Sequence, residues 1–377
     1  MIAENPGFLL WMATTVGLCW ILPGRTLPFV LVATCGAYLA AYSPWSLLAL
    51  AMVTACCGLT LINGKGRHGY VLASIAFSCT LFIVYRAFRP SSGLNEDLAL
   101  LGFAFYILRA IHILLESYSG RLKTPGWAEL ICWLWFLPTL QVGPIHRFQP
   151  FQRDLVRRRW DADLFAKGLQ RILFGFLKIV FIANYLVGRN FSGTLNGMDP
   201  TSWWYHYLDS LRYGLILYFK FAGYSDIAIG FSLLIGFRVM ENFNYPFLAK
   251  DISDFWRRWH ISLSSWCRDY VYMPVFAITR VPALAAVATM LVLGLWHELS
   301  VRYLLWGLWH GVGIAVCQQW QRSNTAKVFN SGLHGKIWSP IAAFITLNFV
   351  ILSFVITGAA SLADMWQRWR VLLWISP

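Results

Sequence analysis

Long apolar blocks recur along the chain, separated by short polar breaks that carry glycine, proline or charge. A helix needs about 20 apolar residues to cross the hydrocarbon of a bilayer, with about 17–25 usual. Blocks that meet or approach this length predict spanning helices at residues 7–23, 27–43, 45–63, 69–87, 97–117, 165–187, 205–222, 225–239, 281–297, 300–319 and 338–358. The shorter ones need extension or support from a bundle. No Pro/Ser linker or low-complexity tract interrupts the series, so residues 1–377 read as one domain. The expected fold is all-α: a polytopic transmembrane helical bundle of about eleven spans.

Two segments break the pattern. Residues 127–142 are apolar but short, and they end at Gly143-Pro144. Basic loops mark the cytoplasmic side. With Glu4 outside, strict alternation puts Lys65, Arg67, His68, Arg121 and Lys123 inside. It would then place the most basic loop, with Arg147, Arg153, Arg157, Arg158 and Arg159, outside if 127–142 spanned. A re-entrant 127–142 removes the conflict, and such backbone is tolerated only when buried in protein or lining a cavity.

The second segment, 241–272, is too polar to span. Ile252, Phe255, Trp256, Trp259 and Leu263 follow helical spacing, and Asp251 or Ser253 is a plausible N-cap. An amphipathic helix is expected, with Arg257, Arg258 and His260 on its polar face; between a helix merely lying in the interface and a surface that lines an entrance, its place between spanning helices favours the entrance.

Composition sharpens this picture. The chain is 58% hydrophobic and only 13% charged, against about 25% charged in soluble domains. Twenty Trp and sixteen Tyr suit aromatic belts at two interfaces. The net charge of +14 reads as basic cytoplasmic loops and not as a nucleic-acid surface. The eight Cys form no C-x-x-C pair and read as small packing residues. The first apolar run has no basic leader and no cleavage pattern, so it reads as a retained helix.

The histidines carry the candidate chemistry. His112 shares a helix face with Arg109 and Glu116, a stripe expected to satisfy itself inside the bundle. His297 closes the run Leu291-Val-Leu-Gly-Leu-Trp-His, and His310 lies in Leu304-Leu-Trp-Gly-Leu-Trp-His-Gly. Their separation and the absence of a shared Cys or carboxylate cluster argue against a metal. A buried neutral imidazole suits general-base work, and a structural or proton-relay role remains open beside it.

Four ordered stretches resemble the membrane-bound O-acyltransferase family, in the bacterial branch of the D-alanyl transfer and alginate O-acetylation membrane proteins. They are Leu137-Pro-Thr-Leu-Gln-Val-Gly-Pro-Ile-His-Arg-Phe; Tyr218-Phe-Lys-Phe-Ala-Gly-Tyr-Ser-Asp running on to Glu241-Asn-Phe-Asn-Tyr-Pro-Phe; Asp254-Phe-Trp-Arg-Arg-Trp-His-Ile-Ser-Leu-Ser-Ser-Trp-Cys-Arg-Asp-Tyr; and Leu293-Gly-Leu-Trp-His with Trp306-Gly-Leu-Trp-His-Gly. They cover roughly residues 100–320, and the third is long, polar and specific.

The resemblance implies re-entrant and interfacial helices around a central tunnel open to both faces. It implies His297 as the essential histidine and His260 as a second residue of the reaction path. Arg257, Arg258, Trp259, Arg268, Asp269, Asn244 and His310 are then expected to bind substrate. No metal or tightly bound cofactor is expected. The donor would be an acyl thioester, as acyl-CoA or the phosphopantetheine of an acyl carrier protein, on the cytoplasmic side. Membrane lipid and an extracytoplasmic acceptor or accessory transferase are the other expected partners, and a bacterial inner membrane the expected place. The chain departs from the family pattern at Glu298, where Gly is usual, and at Lys220, where Asp is usual. A transporter or flippase using buried His, Arg and Glu is the alternative class.

Overall fold

The computed structural model describes residues 6–63, 68–88, 100, 102–329 and 332–375. Glu4, Lys65 and Arg67 of the orientation reading lie outside the described residues. Every regular element among the described residues is helical, as the apolar blocks predict for a polytopic membrane protein. Among the described residues, five helical stretches are long and apolar enough to cross a membrane: Gly24–Tyr42, Pro44–Ile62, His68–Ala87, Ala162–Leu195 and Gly335–Gly358. Gly7–Ile21 and Pro282–His297 are shorter apolar helices. All eight cysteines are free.

The chain forms two compact units, Met1–Gly175 with Tyr224–Met240, and Phe176–Gly223 with Glu241–Pro377. The first contains α1 (Pro6–Ile21), α2 (Leu27–Tyr42), α3 (Pro44–Asn63), α4 (His68–Phe88), α5 (Phe103–Tyr118), α6 (Trp127–Leu134), α7 (Phe148–Arg157) and nearly all of α8 (Ala162–Phe176). α6 is eight residues long, about 12 Å at 1.5 Å per residue, so it does not reach across a bilayer. A short 3₁₀ turn follows at Leu137–Thr139. Trp133, Leu134, Phe136, Leu137 and Leu140 are all buried within the protein, the condition that a re-entrant segment would have to meet.

The second unit holds a π-helical run, Leu177–Phe191, that continues α8, then α9 (Ser192–Leu195) and the first part of α10 (Trp203–Ile235). It continues with α11 (Ile252–Arg258), α12 (Ile261–Cys267), α13 (Met273–Thr279), α14 (Pro282–His297) and α15 (Val301–Gln321). α16 (Asn324–Phe329), α17 (Gly332–Gly358) and α18 (Leu362–Leu372) complete it.

Two predicted elements change. The spans expected at 205–222 and 225–239 are one 33-residue helix, α10. Gly223 alone does not end a helix, and the polar Asp226 just after it is paired with Arg171 at 2.6 Å. α10 stops instead at Gly236, whose φ of 93° suits glycine. Phe237 N–H then bonds Ser232 O and Gly236 N–H bonds Leu233 O, the two bonds of a Schellman ending.

The expected amphipathic helix is also two helices, because the chain turns at His260. Its apolar positions are buried as predicted: Ile252, Phe255, Trp256, Trp259 and Leu263. Of the two N-cap candidates, Asp251 fills the role and accepts Asp254 N–H at 2.7 Å.

Candidate active site

The α14–α15 hairpin presents two of the three histidines. Glycine lets the two backbones close up. A Cβ on Gly307 would lie 2.5 Å from Met290 O, and one on Gly311 would lie 2.8 Å from Val287 Cα. Gly294 faces Tyr303 O just as tightly. Small residues at such crossings replace the hydrophobic driving force that lipid does not supply.

His297 ends α14 at this hairpin and is partly exposed. Its ring packs among Trp296 (4.8 Å between centroids), Trp306 (5.7 Å) and Tyr303 (5.9 Å). His310, on α15, is buried, with Trp306 at 4.9 Å and Trp256 at 5.3 Å. His310 Nδ1 and the neighbouring Trp256 Nε1 are buried without a hydrogen-bond partner.

His260 occupies the turn between α11 and α12 with φ 45° and ψ 51°. This is the left-handed region, where His is more at home than most residues but where strain is still stored. The turn is held by Asn242, which is buried. Asn242 O accepts Ile261 N–H at 2.9 Å. Asn242 Oδ1 accepts Ser262 N–H at 3.3 Å and Ser262 Oγ–H at 2.8 Å, and it lies 3.1 Å from His260 Nδ1.

Phe221 of α10 meets the His260 ring at 4.6 Å, and Trp296 lies 6.3 Å away on another side. Burial pushes the imidazole well below the usual histidine range, and His297 pushes it further in the same direction. His260, His297 and His310 thus form one series, with Trp296 and Trp306 between successive rings.

The other residues singled out in the sequence are placed as follows. Trp259 is buried and packs on Phe255, Phe243 and Tyr218. Arg257 and Arg258 lie on the outer face of α11 and share Asp254, at 3.5 and 3.0 Å. Burial alone would raise the Asp254 carboxyl, but hydrogen bonds from Arg258 and Lys250 N–H, with both arginine charges, hold it below the usual range.

Arg268 and Asp269 pair with each other at 2.8 Å. Asn244 is exposed, and its N–H bonds Arg258 O. The buried asparagine of the site is Asn242, two residues earlier; Trp256, read in the sequence only as an apolar helix position, is the second site residue that the sequence did not assign.

Glu298 does not reach into the histidine series. It caps α14 and pairs with Arg302 at 3.1 Å, while Arg302 also donates to Ala359 O. Lys220 is partly buried. Among the described residues no three His, Cys, Asp or Glu gather as a metal site.

Beyond His310 an apolar groove of about 1480 Å³ runs between α15 and α17, lined by Leu308, Val312, Val316, Trp320 and Ile345 among others. Phe349 separates the two: it lines the groove and packs on His310 at 5.6 Å.

Helices of membrane-spanning length, with a histidine series set in tryptophan, define a polytopic membrane protein with a candidate acid–base site. The sequence model of the membrane-bound O-acyltransferase family matches residues 10–361, and the chain belongs to that family. It is 35% identical over 291 residues to a probable alginate O-acetylase of Pseudomonas aeruginosa, covering 74% of this chain and 52% of that one. It is 32% identical over 284 residues to the teichoic acid D-alanyltransferase of Bacillus subtilis, covering 71% of each. A peptidoglycan O-acetyltransferase of Helicobacter pylori is 32% identical over 260 residues, 66% of this chain and 47% of that protein. The chain spans about half the length of the alginate O-acetylases it matches.

Proposed function

We propose that this chain is an O-acyltransferase of a bacterial inner membrane. It moves an acetyl or D-alanyl group from a cytoplasmic thioester to a hydroxyl of an exported cell-envelope polymer or its carrier. The observation that carries the reading is the partly exposed imidazole of His297, held at the end of a close-packed hairpin and walled by Trp296 and Trp306. The names of the relatives, which include acetyl and D-alanyl transferases, support an acyl group of either kind.

The chemistry needs one base and one leaving group. His297 takes the proton from the acceptor hydroxyl as its oxygen attacks the thioester carbonyl carbon. The carbon–sulfur bond then breaks, the thiolate departs, and the imidazolium returns its proton to that sulfur. His260, neutral and locked through Nδ1, orients or relays within the path. Trp256 Nε1–H is a donor available to the oxygen on which negative charge develops. The exposed Arg257 and Arg268 attract the phosphate of a phosphopantetheine arm, of acyl-CoA or of an acyl carrier protein.

The test is transfer from an acyl thioester by purified His297→Gln protein that is monodisperse. Gln keeps hydrogen bonding and loses basicity, so turnover is expected to fall about 10²–10⁴-fold. Near wild-type turnover would refute the base assignment and move it to His310.

A further inference from the structure

The groove between α15 and α17 is larger than the reaction needs. At about 1480 Å³ it exceeds the roughly 300–1,000 Å³ of ordinary small-molecule sites, and an acetyl or D-alanyl group would fill a small part of it. Its α15 wall is a stripe at helical spacing: Leu305, Leu308, Val312, Val316 and Trp320. Each of these apolar side chains is more than a third exposed.

The groove runs along the helices. At 1.5 Å per residue its α15 wall, from Leu305 to Gln321, is about 24 Å long, and its α17 wall, from Lys336 to Ile356, about 30 Å. The longer wall matches the hydrocarbon core of a bilayer, about 30 Å thick.

Charge lies at one end only. Lys250, Asp251 and Lys336 are the charged residues of the lining. Two contacts bring them to the same end: Gln321, at the end of α15, bonds Asp251 at 3.0 Å, and the Trp320 ring lies 6.5 Å from that of Trp338, near the start of α17. Asp251 is already engaged, since its Oδ1 accepts Asp254 N–H at 2.7 Å and its Oδ2 accepts Gln321 Nε2–H. Lys250 and Lys336 are exposed and make no ion pair among the described residues. The opposite end, at Ile356, Trp366 and Leu373, carries no charge. An apolar groove along the membrane depth, with two unpaired ammonium groups at one end, has the form of an amphiphile with one anionic head.

We propose that this groove binds one anionic phospholipid of the cytoplasmic leaflet, with its phosphate at the Lys250 and Lys336 end and an acyl chain along the α15 stripe. Arg322, at the C-cap of α15, adds to the basic residues of that end, and basic residues mark the cytoplasmic side. Basic pockets between spanning helices on that side take anionic headgroups. The chain runs towards Phe349, whose ring lines the groove and packs on His310 at 5.6 Å. An occupied groove therefore backs the wall behind the histidine series. The site stands independently of the acyl-transfer reading.

The test uses the full chain in a mild detergent. Lipid retained through purification is counted by native mass spectrometry. In parallel, thermal unfolding is followed against phosphatidylglycerol and against phosphatidylcholine with the same chains. Wild-type protein is expected to retain about one phosphatidylglycerol per chain and to show a saturable rise in midpoint with it, well above that with phosphatidylcholine. Lys250→Gln with Lys336→Gln is expected to weaken phosphatidylglycerol about 10–30-fold. Arg322→Gln, which removes a charge from the same end but outside the lining, is expected to leave the affinity near that of wild type. Val316→Trp, a change at an exposed position that fills the groove, is expected to abolish retention while the protein stays monodisperse.

Equal midpoints with the two lipids would reduce the occupant to ordinary bilayer lipid and overturn the proposal. So would equal losses in Arg322→Gln and the double lysine variant, or full retention in Val316→Trp. A dimer in detergent that Val316→Trp dissociates would give the groove to a second copy of the chain and overturn it as well.

Discussion

Asn242 Oδ1 lies 3.1 Å from His260 Nδ1, and this contact decides which nitrogen of the imidazole carries the proton. The same oxygen accepts the backbone N–H of Ser262, which can only donate, so the atom is the amide oxygen. His260 therefore carries its proton on Nδ1 and offers the lone pair of Nε2. Asn242→Leu removes the acceptor and strands the Ser262 N–H, at a cost of about 1–3 kcal/mol. Its turnover is expected to drop to that of His260→Ala, which itself retains some activity. Thermal melting and thioester turnover measured side by side check this, and a fully active Leu variant would remove Asn242 from the site.

Acid should destabilise the protein partly through His260. Its folded pKa lies well below the unfolded value of about 6.5. Folding therefore favours the neutral ring, and this contribution is fully present above about pH 6.5. It is lost as the pH falls below that value, by up to about 1.4 kcal/mol per unit. His260→Gln is expected to lose less stability than wild type between neutral pH and the acid range. Parallel slopes for the two proteins in pH-dependent melting would mean that His260 is charged when folded.

Much of the fold is legible because the apolar blocks are long and nearly unbroken, and helix is the only open-ended element that satisfies its own backbone in lipid. His260, His297 and His310 are legible from their motifs. The choice between Asn242 and Asn244 is not. Two residues in extended chain separated by one more do share a face, but here Phe243 lies between backbone bonds to a second segment, Asn244 N–H to Arg258 O and Ile261 N–H to Asn242 O. That pairing, formed only in the fold, decides which amide is buried. The turn at His260 is hidden for a related reason: Trp259 and Leu263 are buried on either side of it, so the helical spacing runs on through the break.

The basic loop shows the opposite limit. Arg158 counts as a topology charge in the sequence, yet it bonds Ile235 O and Cys19 O and stacks over Trp20 at 3.7 Å. It is satisfying the last carbonyls of helices, a role set by packing and invisible to a count of charges.

Gly294 is expected to be the most sensitive small residue near the site. A Cβ there meets Tyr303 O, a backbone atom that cannot swing away, three residues before His297. Gly294→Ala should lower the yield of monodisperse protein or cut turnover by displacing the end of α14. Gly17→Ala, whose Cβ meets nothing within 4 Å, is the control and should be neutral or slightly stabilising through helix propensity. Equal behaviour of the two variants would show that the hairpin opens without consequence.

Trp256 offers the most direct probe of the developing charge. Its indole N–H is buried, has no acceptor, and sits on the ring that packs between Trp306 and His310, at 5.8 and 5.3 Å. An unused donor at such a place costs free energy in the resting protein, and a thioester oxygen that gains negative charge would repay it only during reaction. Trp256→Phe keeps most of the packing and deletes the N–H. Loss of one oxyanion donor typically lowers kcat about 10²–10³-fold, with KM for the thioester little changed because the ground-state carbonyl needs the bond less. Steady-state kinetics on monodisperse protein separates the possibilities: a fall in kcat alone assigns the donor to the transition state, whereas an unchanged kcat leaves the indole as a wall.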